Sequence, residues 1–133
     1  GNNLMKKKYL IVIADYYKDI STGLLKSAND SLPKSSLIKT INVPGVFEIP
    51  VTISKNIKKF DGFLALGCVI KGQTPHFDFI SKASTDGIMK LSIESKKPIG
   101  NGIITCLNMK QAIVRKKKGR EAAQAVISVL SQK

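Results

Sequence analysis

Apolar runs alternate along the chain with segments in which apolar residues recur every three or four positions. Four runs rich in β-branched residues are predicted to be strands: Tyr9–Ala14, Leu37–Val43, Gly62–Ile70 and Ile99–Cys106. Within each run the apolar residues are continuous rather than alternating, which is typical of strands covered on both faces. We therefore expect a sheet whose strands are buried between helices.

The segments between and after these runs are predicted to be helices. Residues 20–32 form a weaker helix because Gly23 lowers helix propensity. Residues 48–60 carry apolar side chains at helical spacing, with Pro50 in the first turn, where proline is tolerated. Three further helical stripes consist of Phe77, Ile80, Ser84, Ile88 and Leu91; Met109, Ala112 and Ile113; and Ala122, Ala125, Val126, Val129 and Leu130.

This order of elements predicts an α/β fold. Strands that alternate with helices form parallel crossovers, so we expect a three-layer sandwich with a four-stranded parallel sheet flanked by helices. The length of 133 residues, with 43% hydrophobic and 23% charged residues, predicts a single globular domain over residues 1–133. Gly1–Leu4, ahead of Met5, look like an expression scar.

The net charge of +13, from 22 basic and 9 acidic residues, raises the question of a nucleic-acid partner. Base reading favours arginine, but Arg115 and Arg120 are the only arginines in the sequence. Binding of single strands favours aromatic platforms, and only 6% of the residues are aromatic. A lysine-rich solvated surface is therefore the simpler interpretation, and we expect no nucleic-acid partner, with a basic nucleic-acid-binding domain as a competing hypothesis.

Several other classes of protein are disfavoured. The apolar runs are shorter than the roughly 18 residues that cross a bilayer, so we expect no membrane association and a cytoplasmic protein. Cys68 and Cys106 lack ligand-spaced partners, and His76 is the single histidine, so we expect no metal and no cofactor. The cysteines are interpreted as small buried residues in a reducing compartment.

Candidate chemistry lies where predicted strands end. In an open parallel sheet, ligands bind beyond the carboxyl ends of the strands. One such end carries Gly72-Gln73-Thr74-Pro75-His76, in which backbone N–H groups, a threonine hydroxyl and a helix start could together bind an anion. The structural alternative is an ordinary helix start, with Thr74 as N-cap, Pro75 in the first helical position and His76 in the first turn.

Other residues at strand ends also allow two interpretations. Tyr16 and Tyr17 could pack, or could stack on a flat ring. Glu48 could complement a helix dipole, or could accept hydrogen bonds from a polyol. His76, of the residue type that titrates near neutral pH, could transfer protons or lie inert on the surface. Arg115 could simply complement the end of a helix.

Taken together, the motifs resemble one family. "PGVFEIP", "ALGCVIKGQTPHFDFIS", "GIMKLSIESKKPIGNGIIT" and "GREAAQAVISVL" resemble, in this order, the lumazine synthases, from about Lys8 to Leu130. The resemblance implies a flavodoxin-like fold, assembled as homopentamers or icosahedral shells of pentamers. It also implies a cofactor-independent condensation of 5-amino-6-ribitylamino-uracil with 3,4-dihydroxy-2-butanone 4-phosphate, as a step of riboflavin biosynthesis.

The resemblance also implies a set of site residues. Tyr16 would stack on the pyrimidine, His76 would transfer protons, and Arg115 would reach the phosphate of a neighbouring subunit. The remaining implied contacts are Gly45, Val46, Phe47 and Glu48 for the ribityl chain; Cys68, Val69 and Ile70 for the heterocycle; and Gly72, Gln73 and Thr74 for the phosphate.

Some positions depart from the family pattern. Asp15 and Tyr17 stand where the family often has Arg and Asn, and Asn101 stands where many members have a phenylalanine from the adjacent subunit. The segment that follows Arg115 is short, which affects the register of Lys118, a further expected substrate contact, and of Glu121. An alternative function is therefore a catalytically weak or inactive assembly protein that binds a flavin-like or phosphorylated ligand.

Overall fold

The structure, a computed structural model, describes residues 6–132, so Gly1–Leu4 lie outside the described residues. A short 3-10 turn, Val46–Glu48, precedes the second helix. In chain order the other elements are β1 (Lys8–Ala14), α1 (Lys18–Ser31), β2 (Leu37–Val43), α2 (Ile49–Lys55), β3 (Gly62–Ile70), α3 (Phe77–Ser95), β4 (Ile99–Cys106), α4 (Met109–Arg115) and α5 (Gly119–Leu130).

The four strands form one parallel sheet in the order β2-β1-β3-β4. The chain moves from β1 to β2 in one direction across the sheet and from β2 through β3 to β4 in the other. Right-handed crossovers therefore place α1 on one face of the sheet and α2 and α3 on the opposite face. One apolar core lies between the sheet and α1, α4 and α5, and a second lies between the sheet and α2 and α3. The predicted three-layer α/β sandwich with a four-stranded parallel sheet is confirmed.

The expectation that every strand is covered on both faces is wrong for the two edge strands. β1 is buried from Tyr9 onward and β3 is buried throughout, whereas six of the seven residues of β2 are exposed or half-buried. Leu37 at the start of β2 is 62% exposed. In β4 every second residue is buried against α5 and the others are exposed or half-buried. The helices cover the centre of the sheet, and a continuous apolar run does not reveal that a strand lies at the edge.

Predictions for three helices, α2, α4 and α5, differ from the structure in length or in the face that is buried. α2 ends at Lys55 instead of continuing to Phe60, because Asn56 turns the chain and its amide nitrogen donates to the Thr52 carbonyl at 2.8 Å. Phe60 still packs against the core from the following turn. In the last two helices, the expected core positions Ile113, Ala125 and Val129 are exposed, and Ala123 is buried instead.

The short connection between α4 and α5 fits closely against α1. A β-carbon on Gly119 would lie 2.1 Å from the Leu24 carbonyl oxygen, so only a glycine allows α5 to start at this distance from α1. The Lys116 side chain crosses α1 at Gly23, where a β-carbon would lie 2.9 Å from its methylene carbons. Gly23, which lowers the helix propensity of α1, therefore makes room for the connection.

Candidate functional site

A cleft of about 310 Å³ opens at the carboxyl ends of β1 and β3. Because the chain turns to opposite sides of the sheet after these two strands, this is the point where an open parallel sheet leaves a crevice for a ligand. Ala14 ends β1 at the base of the cleft, and Cys68 and Val69 approach the end of β3 there. The position of the cleft therefore follows from the strand order β2-β1-β3-β4.

The cleft gathers most of the predicted substrate contacts from four separate stretches of the chain. Pro44, Pro75 and Ile80 complete its walls without having been predicted as site residues. The predicted residues that line it are Tyr16, Gly45, Val46, Phe47, Glu48, Cys68, Val69, Gln73 and Thr74. Tyr17, predicted only as a residue that packs or stacks, lines it as well.

The wall formed by the 3-10 turn is held by two residues that the sequence reasoning missed. A β-carbon on Gly67 of β3 would lie 2.6 Å from the Val46 side chain, so the turn can approach the strand only over a glycine. On the other side, the buried Ser84 hydroxyl of α3 donates to the Val46 carbonyl at 3.3 Å. A glycine within a predicted strand is the available signal for Gly67, whereas the sequence pattern places Ser84 in an apolar stripe and gives no signal for its hydrogen bond.

Aromatic rings stand on both sides of the cleft. Tyr16 is 73% exposed, and its ring meets that of Tyr17 edge-on, with centroids 4.9 Å apart and an interplanar angle of 83°. Phe47 lies in the opposite wall, with its ring centroid 6.3 Å from that of Phe79 of α3. The exposed face of Tyr16 is available to stack on a flat ligand.

The loop after β3 turns back on the strand that precedes it. Gly72 has a φ of +84°, in the left-handed region that glycine adopts at little cost. The backbone N–H groups of Gln73 and Thr74 both donate to the Ile70 carbonyl, at 3.2 and 2.8 Å. The Thr74 hydroxyl oxygen accepts the Ile70 N–H at 3.2 Å, so Thr74 closes the loop.

The prediction of Thr74 as the N-cap of the next helix is therefore wrong. α3 begins at Phe77, and no side chain caps its first turn. His76, expected in that turn, instead precedes the helix with a φ of 57°, a left-handed conformation that is uncommon outside glycine, asparagine, aspartate and histidine. The His76 side chain is exposed and does not line the cleft. The preceding residue, Pro75, does line it, so His76 lies next to the cleft.

Three predicted site residues lie apart from the cleft in this chain. Asn101 is exposed on β4, where its side-chain oxygen accepts the Ile103 N–H at 3.0 Å. Arg115 ends α4, and its guanidinium donates to the Thr105 carbonyl at 3.0 Å. Lys118 lies in the turn before α5 and is exposed. Asn101 and Arg115 belong to the β4 edge of the molecule, whereas Lys118 belongs to the α4–α5 connection, which packs against α1.

Two further predicted residues, Ile70 and Gly72, belong to the loop region without lining the cleft. Ile70 is fully buried as the last residue of β3, and its backbone anchors the loop. Gly72 supplies the turn and is exposed. Both residues therefore act through the backbone conformation that they set for Gln73 and Thr74.

Two ionisable groups beside the cleft have shifted pKa values. Burial, with Cys106 nearby as a smaller cause, raises the pKa of the Cys68 thiol to about 12, so the thiol is neutral at physiological pH. Asp15 follows β1, and a hydrogen bond from the Asn42 amide at 2.9 Å lowers the pKa of its carboxyl, with Lys18 contributing. Cys68 therefore presents an uncharged surface to a ligand.

A groove larger than the cleft lies elsewhere in the molecule. It encloses about 1070 Å³ between α1 and the α4–α5 connection, and it is lined mainly by polar and charged side chains, among them Lys26, Lys117 and Arg120. None of the predicted site residues lines it. This groove lies between the sides of helices, whereas ligands of an open parallel sheet bind at the carboxyl ends of the strands. The smaller cleft is therefore the better candidate site.

Residues 6–132 contain neither a cluster of metal ligands nor a helix that could span a membrane. No three His, Cys, Asp or Glu side chains converge there in a way that could hold a metal ion. None of the helices in this range is both long and apolar enough to cross a membrane.

The sheet order and the cleft define an α/β protein of the flavodoxin-like class, with a ligand site at the switch point between β1 and β3. Comparison with known proteins identifies the family: residues 6–133 match the model for 6,7-dimethyl-8-ribityllumazine synthase. The chain belongs to the lumazine synthase family, a family of enzymes, as its motifs predicted.

Three relatives agree with this assignment over 80% or more of their lengths. The 6,7-dimethyl-8-ribityllumazine synthase of Cutibacterium acnes is 41% identical, over 93% of this chain and 80% of that protein. The enzyme of the same name from Bartonella tribocorum is 41% identical, over 97% and 93% of the two chains. That from Agrobacterium fabrum is 38% identical, over 98% and 97%.

Proposed function

We propose that the cleft condenses 5-amino-6-ribitylamino-uracil with 3,4-dihydroxy-2-butanone 4-phosphate to give 6,7-dimethyl-8-ribityllumazine, with release of phosphate and water. The observation that carries this proposal is the convergence on one cleft of a free aromatic face, a carboxylate and the loop after β3, called here the anion loop because it is assigned to the phosphate. Tyr16 supplies the face, Glu48 the carboxylate, and Gln73 with Thr74 the loop. The cleft thus has a binding group for each part of the two substrates.

The uracil substrate is assigned to the side of the cleft between Tyr16 and the 3-10 turn. Its ring stacks on Tyr16, and the backbone around Cys68, Val69 and Ile70 contacts the ring edge. The ribityl chain runs along Gly45–Glu48, where the Glu48 carboxylate accepts hydroxyl protons. The Glu48 carboxylate lies over Gly45, since a β-carbon there would be 3.2 Å from its oxygen, and among residues 6–132 no cation lies within ion-pair distance of it.

The butanone phosphate is assigned to the loop after β3. Gly72 sets the turn, and Gln73 and the Thr74 hydroxyl face the phosphate from inside the cleft. The amino group of one substrate attacks the ketone of the other to form a Schiff base with loss of water, phosphate then leaves by elimination, and the ring closes with loss of a second water. Most of the acceleration comes from holding the two reactants in register, while His76 transfers protons between the intermediates.

The complete site is proposed to form between subunits of a homo-oligomer, with Arg115, Lys118 and Asn101 supplied by a neighbouring chain. Supporting this, the region around Arg115 exposes large apolar side chains: Leu107 is 62% exposed, Ile113 50% and Val114 78%. We propose a homopentamer, which mass measurement in solution would show as five times the 14.5 kDa chain. A single domain over residues 1–133 and a cytoplasmic location complete the proposal.

The direct test is to mix the purified chain with both substrates and follow lumazine formation by absorbance against the uncatalysed background. Enzyme-dependent product is expected. No rate above background, from a protein shown to be folded and assembled, would overturn the proposal and leave a ligand-binding role.

The proton-transfer role of His76 has its own test. His76→Ala is expected to slow turnover by about 10²-fold at saturating substrate without abolishing it, because proton transfer is one contribution beside binding geometry. His76→Asn is the matched variant, since asparagine also adopts the left-handed backbone conformation. Unchanged kcat in both variants would remove the role.

A further inference from the structure

Tyr17 makes a contact in the cleft that its neighbour Tyr16 does not make. Its hydroxyl oxygen lies 3.4 Å from the Thr74 hydroxyl oxygen, and both residues line the cleft. The same Thr74 oxygen accepts the Ile70 N–H at 3.2 Å. The Thr74 hydroxyl is therefore held between the end of β3 and a phenol that comes from the segment before α1.

The hydrogen-bonding capacity of Thr74 decides which way its proton points. A threonine hydroxyl has one proton to donate and two lone pairs that accept. The Ile70 N–H occupies one lone pair. A phenol is far more acidic than an aliphatic alcohol and is the better donor, so Tyr17 occupies the second lone pair. The Thr74 proton then has no acceptor in this pair of contacts and is free for a ligand in the cleft.

We propose that Tyr17 is a positioning residue for the anion loop: it donates its hydroxyl proton to Thr74 and so directs the Thr74 proton toward the phosphate of the bound substrate. This inference rests on the proposed function and deepens it. Hydrogen bonds in a chain polarise one another, so a phosphate that draws on the Thr74 proton also strengthens the bond from Tyr17. Tyr17 therefore affects phosphate affinity without touching the substrate.

Tyr17→Phe tests the proposal, because it keeps the ring against Tyr16 and removes only the hydroxyl. We expect the Kd of inorganic phosphate, measured by calorimetry, and the KM of the butanone phosphate to rise about 3- to 10-fold, the effect of one hydrogen bond. The KM of the ribitylamino-uracil should not change. A residue that only packs would alter both KM values alike, and this result would overturn the proposal.

A double-mutant cycle shows whether Tyr17 acts through Thr74. In a Thr74→Val background, Tyr17→Phe should add no further loss of phosphate affinity, whereas in Thr74→Ser, which keeps the hydroxyl, it should add its full effect. Equal losses in both backgrounds would overturn the proposal.

The two proposals fail separately. If the unsubstituted protein binds phosphate but forms no lumazine, the proposed function fails and the Tyr17 proposal is decided by the phosphate affinities alone. If the unsubstituted protein binds no phosphate, the Tyr17 proposal is overturned whatever its turnover.

Discussion

The cleft and the β4 edge each contain residues that match the site of the same family, but the two sets of residues differ in how the fold of one chain positions them. The cleft brings Tyr16, Glu48 and Thr74 together from separate stretches, over strand ends that are fully buried. The β4 edge leaves Asn101 and Arg115 exposed, among exposed apolar side chains and away from the cleft. Folding of a single chain is enough to bring the cleft residues together, whereas the residues of the β4 edge remain exposed on the surface of that chain.

This difference indicates which part of the site depends on assembly. Groups over the central strands β1 and β3 are positioned by the parallel register and by cores on both faces of the sheet. On β4 one face is buried and the other is only partly covered, so Asn101 lies exposed and its orientation toward a substrate requires another surface to pack against. Substrate binding should therefore survive changes that disrupt assembly better than turnover does.

The largest expected change in activity comes from refolding two variants together, one altered in the cleft and the other at the β4 edge. Arg115→Ala is expected to lower turnover by about 10²-fold, the usual cost of losing one charged group at a reacting centre. Glu48→Ala is expected to lower activity by a similar factor at subsaturating ribitylamino-uracil, because its carboxylate holds the ribityl chain. Chains of the two variants refolded together should regain part of the activity, because an intact cleft of one chain can meet an intact arginine of the other. Steady-state assays of the mixture measure this.

The control is a mixture of the two variants that were refolded and assembled separately. It should stay as inactive as its parents for as long as chains do not exchange. If the co-refolded mixture is no more active than the parents, Arg115 does not act across subunits, and the two regions do not form one site.

Substitution of one glycine in each region, Gly67 in the cleft wall and Gly100 on β4, should have a smaller effect, which is on stability. Gly67→Ala would place a β-carbon 2.6 Å from the Val46 side chain in the cleft wall, and Gly100→Ala would place one 2.1 Å from the Ala122 carbonyl oxygen, where α5 packs on β4. Both should lower the free energy of unfolding by about 1–3 kcal/mol through overpacking. Denaturant unfolding measures this loss, which should be larger for Gly100→Ala because the obstructing atom belongs to the backbone.

Kinetics then separate the two glycine variants. Gly67→Ala should raise the KM of the ribitylamino-uracil, because Val46 must move in the wall assigned to the ribityl chain. Gly100→Ala should leave that KM unchanged in whatever fraction remains folded. Equal KM values in the two variants would show that the Val46 wall does not contact this substrate.

A pair of serines on α3 tests the same wall more gently. Ser84→Ala removes the hydroxyl that donates to the Val46 carbonyl, and Ser92→Ala removes one that donates to the Lys97 carbonyl at 2.8 Å, toward the other end of the helix. Each should cost about 1 kcal/mol of unfolding free energy. Only Ser84→Ala should also weaken uracil binding, measured by titration; a similar loss in Ser92→Ala would point to a general loosening of α3.

The sequence predicts the centre of the molecule better than its edges, for physical reasons. The strand runs were located correctly because continuous apolar segments bounded by turns have few alternatives. Whether such a strand is central or at an edge depends on its partners, so the exposure of β2 and β4 could not be predicted. Local pattern made Thr74 a helix cap, whereas the Ile70 N–H at the end of β3 binds its hydroxyl instead. The contacts of Ser84 and Tyr17 depend on tertiary packing and leave no local signal.

The smallest expected effect concerns Asp15, at the junction of β1 and β2 beside the cleft. Its carboxylate accepts the Asn42 amide at 2.9 Å and lies 3.6 Å from the Lys18 ammonium group, which together lower its pKa from the ordinary value of 3.8. A lowered pKa means that the folded protein prefers the charged form. The contribution to stability is therefore present above pH 3.8 and is lost as the pH falls through the lower value of the folded state.

Asp15→Asn should consequently flatten the acid side of the stability profile while changing little at neutral pH, where the exposed carboxylate contributes modestly. Thermal melts between pH 5 and pH 2 would measure this, with Asn42→Ala as the matched variant, since it removes the main cause of the shift from the other partner. If the two variants lose melting temperature in acid as steeply as the unsubstituted protein, the link between the ends of β1 and β2 does not contribute to stability. The rim of the cleft would then depend on the buried strand ends and the Val46 wall alone.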